Sequence, residues 1–258
     1  MTGQLVFTMI SEHIGELLIS QPKRRNALSA EMWASLPEFL VKAQEDRKLR
    51  VLIVRGDGDH FSAGADISEF ETLYKTKESG AKISTSIASG LDALSNFPIP
   101  TIAQIRGACV GGGCAMALSC DIRFSDDQAR FAITPAKLGL VYPFGDITRL
   151  IESIGISHAK DMIFSARLIN AYRAEQIGLV NEVCQSDDLK DKVMDYASSV
   201  AALSPNSLKT MKKMTKAYQS GLRDDTAETE AWFLSGFTSD DFQAGYKAFL
   251  EKRKPEFS

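Results

Sequence analysis

The chain has 258 residues, 44% of them apolar and 24% charged, which suits one large folded domain, or one domain with an appendage, and excludes a disordered chain. The net charge is −3 with both signs interspersed, so no global field recruits nucleic acid or an anionic membrane, and an anionic ligand has to be held locally. No basic region precedes the apolar residues of the N-terminus, and no apolar run approaches the ~18 residues that a membrane span needs, so a cytoplasmic protein is expected.

Apolar and polar residues alternate from Leu5 to Ile10 and again from Ile14 to Ile19, which predicts an antiparallel pair linked around Glu12 and His13. The loop Gln21-Pro-Lys-Arg-Arg-Asn26 follows, with three consecutive cations at Lys23, Arg24 and Arg25. Taken alone, such a run is either a solvated surface loop or a contact for an anion. Ser29 starts a helix with Met32, Leu36, Phe39 and Leu40 on one face, and Pro37 is expected to bend it or to mark an early turn. A buried strand over 50–55 leads to Phe61-Ser-Ala-Gly-Ala-Asp66, small residues that precede a helix over 67–74. Residues 78–97 place Ile83, Ile87, Leu91 and Leu94 on one helical stripe.

The apolar run 99–105 reads as a strand that ends near Gly107, and Gly111 to Gly113 as a turn into a small-residue helix over 114–119. Bare glycines let a ligand approach the N–H groups that a helix start leaves without partners, and those donors favour negative charge. Small residues also allow a helix to pack closely on a sheet, and from the glycines alone both readings stand. Strands over 121–125 and 130–133, helices over about 146–155, 157–165 and 171–177, and a strand over 179–183 complete an α/β pattern with mostly parallel pairing. Beyond about residue 186 the pattern is wholly helical, which divides the chain into an α/β core over 1–185 and a helical region over 186–258. Cys109, Cys114, Cys120 and Cys184 lie among small or apolar residues and read as buried free thiols. The three histidines are scattered, so no metal is expected.

Seven pieces, in order, resemble the crotonase superfamily, the enoyl-CoA hydratase/isomerase family: Asn26-Ala-Leu-Ser29, Phe61-Ser-Ala-Gly-Ala-Asp-Ile67, Gly107-Ala-Cys-Val-Gly-Gly-Gly113, Cys120-Asp-Ile122, Phe131 with Lys137-Leu-Gly-Leu140, Ala174-Glu-Gln-Ile-Gly-Leu-Val180, and Phe249-Leu-Glu-Lys-Arg-Lys254. The resemblance implies a spiral of ββα units with a C-terminal helical oligomerisation region, assembled as a homotrimer or a dimer of trimers. It implies acyl-CoA chemistry, as in fatty acid metabolism, with coenzyme A as part of the substrate and no prosthetic group. The thioester oxygen would lie between the backbone amides of Ala65 and Gly112. Lys23, Arg24 and Arg25 would stand near the adenosine end of CoA, Ala63, Asp66 and Ile67 along its path, and Phe249 and Lys252 against a neighbouring subunit's CoA.

The chain also departs from the family. Hydration there uses two glutamates, one to activate water and one to protonate carbon. Here those positions are Ala115 and Pro135, and the position used for an acid by dienoyl-CoA isomerases and dehalogenases is Pro143. The segment 134–142 is instead similar to that of methylmalonyl-CoA decarboxylases, in which the Thr134 and Tyr142 positions line the acyl pocket. An enolate-stabilising enzyme is therefore expected, with isomerase-, hydratase- or decarboxylase-type chemistry, or a CoA-thioester binding protein that has lost catalysis. Asp146 is the remaining nearby carboxylate, a helix N-cap or a catalytic acid, whereas Asp66 and Asp121 are expected to tie turns to helix starts.

Overall fold

The computed structural model describes residues 3–257. In chain order the strands are β1 (Gln4–Met9), β2 (Ile14–Ser20), β3 (Val51–Gly56), β4 (Thr101–Ile105), β5 (Ala108–Val110), β6 (Ile122–Asp126), β7 (Arg130–Ala132), β8 (Ile169–Asn170) and β9 (Glu182–Cys184). The helices are α1 (Ala30–Glu45), α2 (Phe70–Leu73), α3 (Lys77–Ser95), α4 (Gly112–Leu118), α5 (Phe144–Ser165), α6 (Ala171–Gln176), α7 (Leu189–Ala201), α8 (Pro205–Gln219), α9 (Ala227–Ser235) and α10 (Asp240–Leu250).

The main sheet runs β1-β2-β3-β4-β6-β9. The hairpin β1-β2 is antiparallel, as its alternating pattern predicts, and every later pairing in this sheet is parallel. A small second sheet, β5-β7-β8, stands beside it. β5 and β8, strands of three and two residues, were not anticipated.

One face of the main sheet carries α1 and α3. Ser29 caps α1 by accepting a hydrogen bond from the Met32 N–H, and the buried side chains Met32, Trp33, Leu36 and Leu40 share a core with Leu91 and Leu94 of α3. Removing a side chain such as Leu36, which is wholly buried, typically costs about 2–5 kcal/mol. Pro37, expected to bend α1 or to mark an early turn, stands in the middle of the helix, which continues past it to Glu45; packing on α3 outweighs the one backbone donor that proline lacks. Gly155, at φ 74°, divides α5 into two helical stretches, matching the two helices read from the sequence.

The other face is covered by α7, whose Leu189, Val193, Ala197 and Ala201 pack on Ile14, Val51, Ile53, Ile102 and Phe124. The helical region read from residue 186 thus begins with a helix that completes the sheet's own core. Beyond it, Lys212 of α8 donates to Asp121 at 2.6 Å and Lys216 to Ser95 at 2.6 Å. Phe233, Phe237, Phe242, Tyr246 and Phe249 of the last helices remain exposed. Among the described residues no helix is long and apolar enough to cross a membrane. Cys109, Cys114 and Cys120 are buried free thiols, and Cys184 is half-buried; burial pushes the Cys120 thiol up to about 12.

Candidate functional site

The site is built from two turns held side by side. Asn26, in the left-handed region at φ 55° and fully buried, donates through its side-chain amide to the carbonyls of Asp57 at 2.9 Å and His60 at 2.6 Å. This ties the loop before α1 to the segment that follows β3. Leu28 then donates to the Gly64 carbonyl at 2.7 Å and accepts from the Asp66 N–H at 2.9 Å. Bonding to both neighbours of Ala65 turns the Ala65 N–H to the opposite side, the geometry of a parallel bridge.

The second turn is held in the same way. Ser62 donates to Ala108 at 2.9 Å and accepts from Val110 at 3.0 Å, and Gly111 donates to Ala132 at 2.9 Å. Gly112 opens α4, so its N–H has no intrahelical acceptor. Among the described residues neither the Ala65 nor the Gly112 N–H donates to a backbone carbonyl. The two turns touch. Gly64 has φ +94°, and a Cβ there would lie 2.8 Å from the Val110 oxygen and 2.9 Å from the Gly112 nitrogen. A Cβ on Gly113 would lie 2.3 Å from the Ser62 oxygen, so only glycine permits the approach. The amide nitrogen of Ala65 is 3.5 Å from where a side chain on Gly112 would begin.

Both turns open on one cavity of about 310 Å³. Of the residues singled out from the sequence, its wall contains Ala63, Ala65, Ile67, Gly112, Thr134, Tyr142 and Asp146. Pro135 is also in the wall, whereas Ala115 is fully buried behind it in α4. Tyr142 donates to the Gly111 carbonyl at 3.3 Å, and burial drives its phenol well above the ordinary range. The exposed side chains Val141, Leu138, Leu140 and Ile67 give the cavity an apolar rim.

Asp146 is not the N-cap of α5. The helix starts at Phe144 with Pro143 in the cap position, which leaves Asp146 inside the first turn. Its side chain is buried and accepts from Arg149 at 3.1 Å, and Arg149 is also bonded to Asp92 of α3. Burial pushes the Asp146 carboxyl up to about 6, against the opposing pull of Arg149. Asp66 does cap, accepting from the Ser68 N–H at 3.0 Å. Burial raises its carboxyl, but hydrogen bonds from Ser68 and Arg24 and the Arg24 charge outweigh that and hold it below the usual value. Asp121 caps no helix. It accepts from Thr101 N–H at 2.7 Å and from Lys212, tying the start of β4 to α8.

The basic loop stands next to the cavity rather than in its wall: the Ala63 N–H donates to the Arg25 carbonyl at 2.9 Å, and Arg24 is bonded to Asp66 and Ser68. Phe249 and Lys252 lie outside this wall. Trp33, Asp92 and Arg149 are in it and were not anticipated. Trp33 is a further residue of the apolar face of α1, yet its buried indole nitrogen has no hydrogen-bond partner among the described residues, and a ring carbon lies 3.2 Å from where a Gly112 side chain would begin.

Comparison with known proteins gives a consistent outcome. The model of the enoyl-CoA hydratase/isomerase family matches residues 9–258. A crotonyl-CoA hydratase of Syntrophomonas wolfei is 32% identical over 254 residues, covering 95% of each chain. The structure of an enoyl-CoA hydratase/isomerase family protein from Hyphomonas neptunium superposes with a TM-score of 0.95 at 39% identity, covering 98% of this chain and 97% of the other. That of an enoyl-CoA hydratase/carnithine racemase from Magnetospirillum magneticum gives 0.93 at 30% identity, covering 99% and 95%. The chain belongs to the enoyl-CoA hydratase/isomerase family.

Proposed function

We propose that this protein binds an acyl-CoA thioester with its carbonyl oxygen between the backbone amides of Ala65 and Gly112, and that its reaction passes through the thioester enolate. The observation that carries the reading is the meeting of two N–H groups without backbone acceptors, from two separate turns, on the wall of one cavity. Enolate formation moves charge onto the oxygen, and donors fixed beforehand need not reorganise to meet it. One such donor is typically worth about 3 kcal/mol of barrier. The apolar rim suits a hydrocarbon acyl chain. Lys23 and Arg25, beside Ala63, suit the phosphates of CoA, with Asp66 and Ile67 flanking the path. Phe249 and Lys252, exposed at the end of α10, suit a contact with the CoA of a neighbouring subunit in a trimer or a dimer of trimers.

Two-carboxylate hydration is not part of the proposal, because neither Ala115 nor Pro135 can move a proton. Decarboxylation is a second reading, favoured by the presence of Thr134 and Tyr142 in the same wall, since loss of CO₂ needs an enolate-stabilising pair and little acid–base help.

The test is a panel of saturated, enoyl-, 3-hydroxyacyl- and malonyl-type CoA thioesters, with binding read by calorimetry and turnover by mass spectrometry. Binding of butyryl-CoA and turnover of at least one thioester are expected, with crotonyl-CoA hydration weak. Absence of binding by every thioester overturns the proposal. Binding without turnover anywhere in the panel replaces it with a non-catalytic CoA-thioester binding protein.

A further inference from the structure

With both family glutamate positions occupied by residues that cannot exchange protons, the acid–base group of this cavity has to be found among what its wall does contain. Its ionisable side chains are Tyr74, Asp92, Tyr142, Asp146 and Arg149. Arg149 carries a permanent charge, and the Tyr142 hydroxyl is spent on the Gly111 carbonyl at 3.3 Å. Tyr74 stands at the partly exposed rim, where burial raises its phenol further above the range in which a base works. The Asp92 side chain is 62% exposed and points its carboxylate at Arg149 from the solvent side. Asp146 differs from all of these. Its side chain is only 7% exposed, one carboxylate oxygen accepts from Arg149 at 3.1 Å, and the other has no hydrogen-bond partner among the described residues. That free oxygen belongs to a residue in the wall that Ala65 and Gly112 also form.

We propose that Asp146 is the acid–base residue of this site and that Arg149, clamped by Asp92, is its positioning residue. The inference rests on the acyl-CoA reading above. In the step assigned to it, the Asp146 carboxylate takes a proton from the α-carbon of the bound thioester. The C–H bond breaks, its electron pair moves into the forming carbon–carbon double bond of the enolate, and the carbonyl pair moves onto the oxygen between the two amides. Protonated Asp146 then returns a proton to carbon, and no further reactant is consumed. A buried carboxylate whose burial lifts it to about 6 suits both halves of that cycle, because a base works best when it gains and loses its proton near the ambient pH. Burial is the first cause of this value, and two charges act on it, Arg149 on its own helix lowering it and Asp92 on α3 raising it, while the neutral Tyr142 phenol on the preceding loop feels the Asp146 charge in turn.

The experiment is deuterium exchange at the α-carbon of butyryl-CoA in heavy water, read by mass spectrometry, beside calorimetric binding of the same thioester. The natural protein is expected to bind and to exchange, more rapidly as the pH rises through about 6. Asp146→Asn is expected to bind with similar affinity and to lose exchange by roughly 10²–10⁴-fold, the usual contribution of a positioned acid or base. Arg149→Gln, which removes the cation, is expected to move the midpoint of the pH profile upward. A purely structural role for Arg149 would lower the rate without moving the midpoint. This second variant decides the matter even if Asp146→Asn does not fold. Exchange within a few-fold of the natural rate in Asp146→Asn, or an unmoved midpoint in Arg149→Gln, overturns the assignment. So does a natural protein that binds butyryl-CoA without exchanging it, a result that leaves the acyl-CoA reading intact. Failure to bind at all removes that reading itself, and the assignment with it.

Discussion

Replacing Gly64 by alanine tests the link between backbone geometry and chemistry without touching any ionisable group. At φ +94° a side chain forces an unfavoured backbone conformation, which costs about 1–3 kcal/mol. The added Cβ would stand 2.8 Å from the Val110 oxygen and 2.9 Å from the Gly112 nitrogen, both backbone atoms that cannot rotate away. The two turns have to separate by a few tenths of an ångström, and the Gly112 amide moves relative to the Ala65 amide. A misplacement approaching 1 Å at a reacting centre costs about 10² in rate, similar to losing one donor outright. The expected outcome is an α-exchange rate for butyryl-CoA reduced about 10²-fold, with urea denaturation showing about 2 kcal/mol less stability. Binding should fall much less, because the phosphate end of the ligand is untouched. A Gly64→Ala protein that is less stable yet exchanges at the natural rate would show that the amide pair does not polarise the thioester.

Three further outcomes are expected. Asp146→Asn should leave the protein more stable relative to the natural chain as the pH is raised from 4 to 8. The carboxyl rises from 3.8 unfolded to about 6 folded, so its favourable contribution is present below the lower value and lost as the pH passes the upper one; at about 1.4 kcal/mol per pH unit the difference is about 3 kcal/mol, read by urea denaturation across that range. The paired variant Lys23→Ala, Arg25→Ala should weaken acyl-CoA binding and flatten its salt dependence in calorimetry, whereas Arg24→Ala should also destabilise the fold by releasing Asp66, and equal affinity in the paired variant would remove the loop from the binding site. Light scattering should report a trimer or a hexamer at micromolar concentration, since Phe249 is 82% and Phe233 61% exposed on a single chain, and a monomer would leave Phe249 and Lys252 with no second CoA to meet.

Much of this architecture was legible in the residues. The alternation of 5–10 and 14–19 gave the hairpin, the stripe Ile83, Ile87, Leu91 and Leu94 gave α3, and the kink at Gly155 falls at the end of the first of the two helices read over about 146–155 and 157–165. The small-residue segments around Gly64 and Gly112 drew attention to bare amides, but nothing in either segment says that they meet. That follows from the pairing of Leu28 with Ala65 and of Ser62 with Cys109, bridges between residues far apart in the chain. The cap read at Asp146 stands three residues earlier, at Pro143, because Ile147 and Leu150 mark the buried face of a helix without marking its first turn. Arg149 and Asp92 were invisible for a related reason. They are 57 positions apart, each an ordinary charge on an amphipathic helix, and only the packing of α3 beside α5 brings them together.

The donors of Ala65 and Gly112 belong to the main chain, and this shapes what a mutational scan of the molecule would report. Nineteen of the twenty amino acids carry the N–H that residue 65 presents, so most substitutions there would leave the donor in place and register only as changes of bulk in the wall. Proline alone deletes it. A survey that ranks positions by tolerance to replacement would therefore score Ala65 as permissive and Gly64, which donates nothing to the ligand, as critical. On the proposed function, the same property leaves the surrounding side chains, Ala115 and Pro135 among them, free to change while the polarising pair stays untouched.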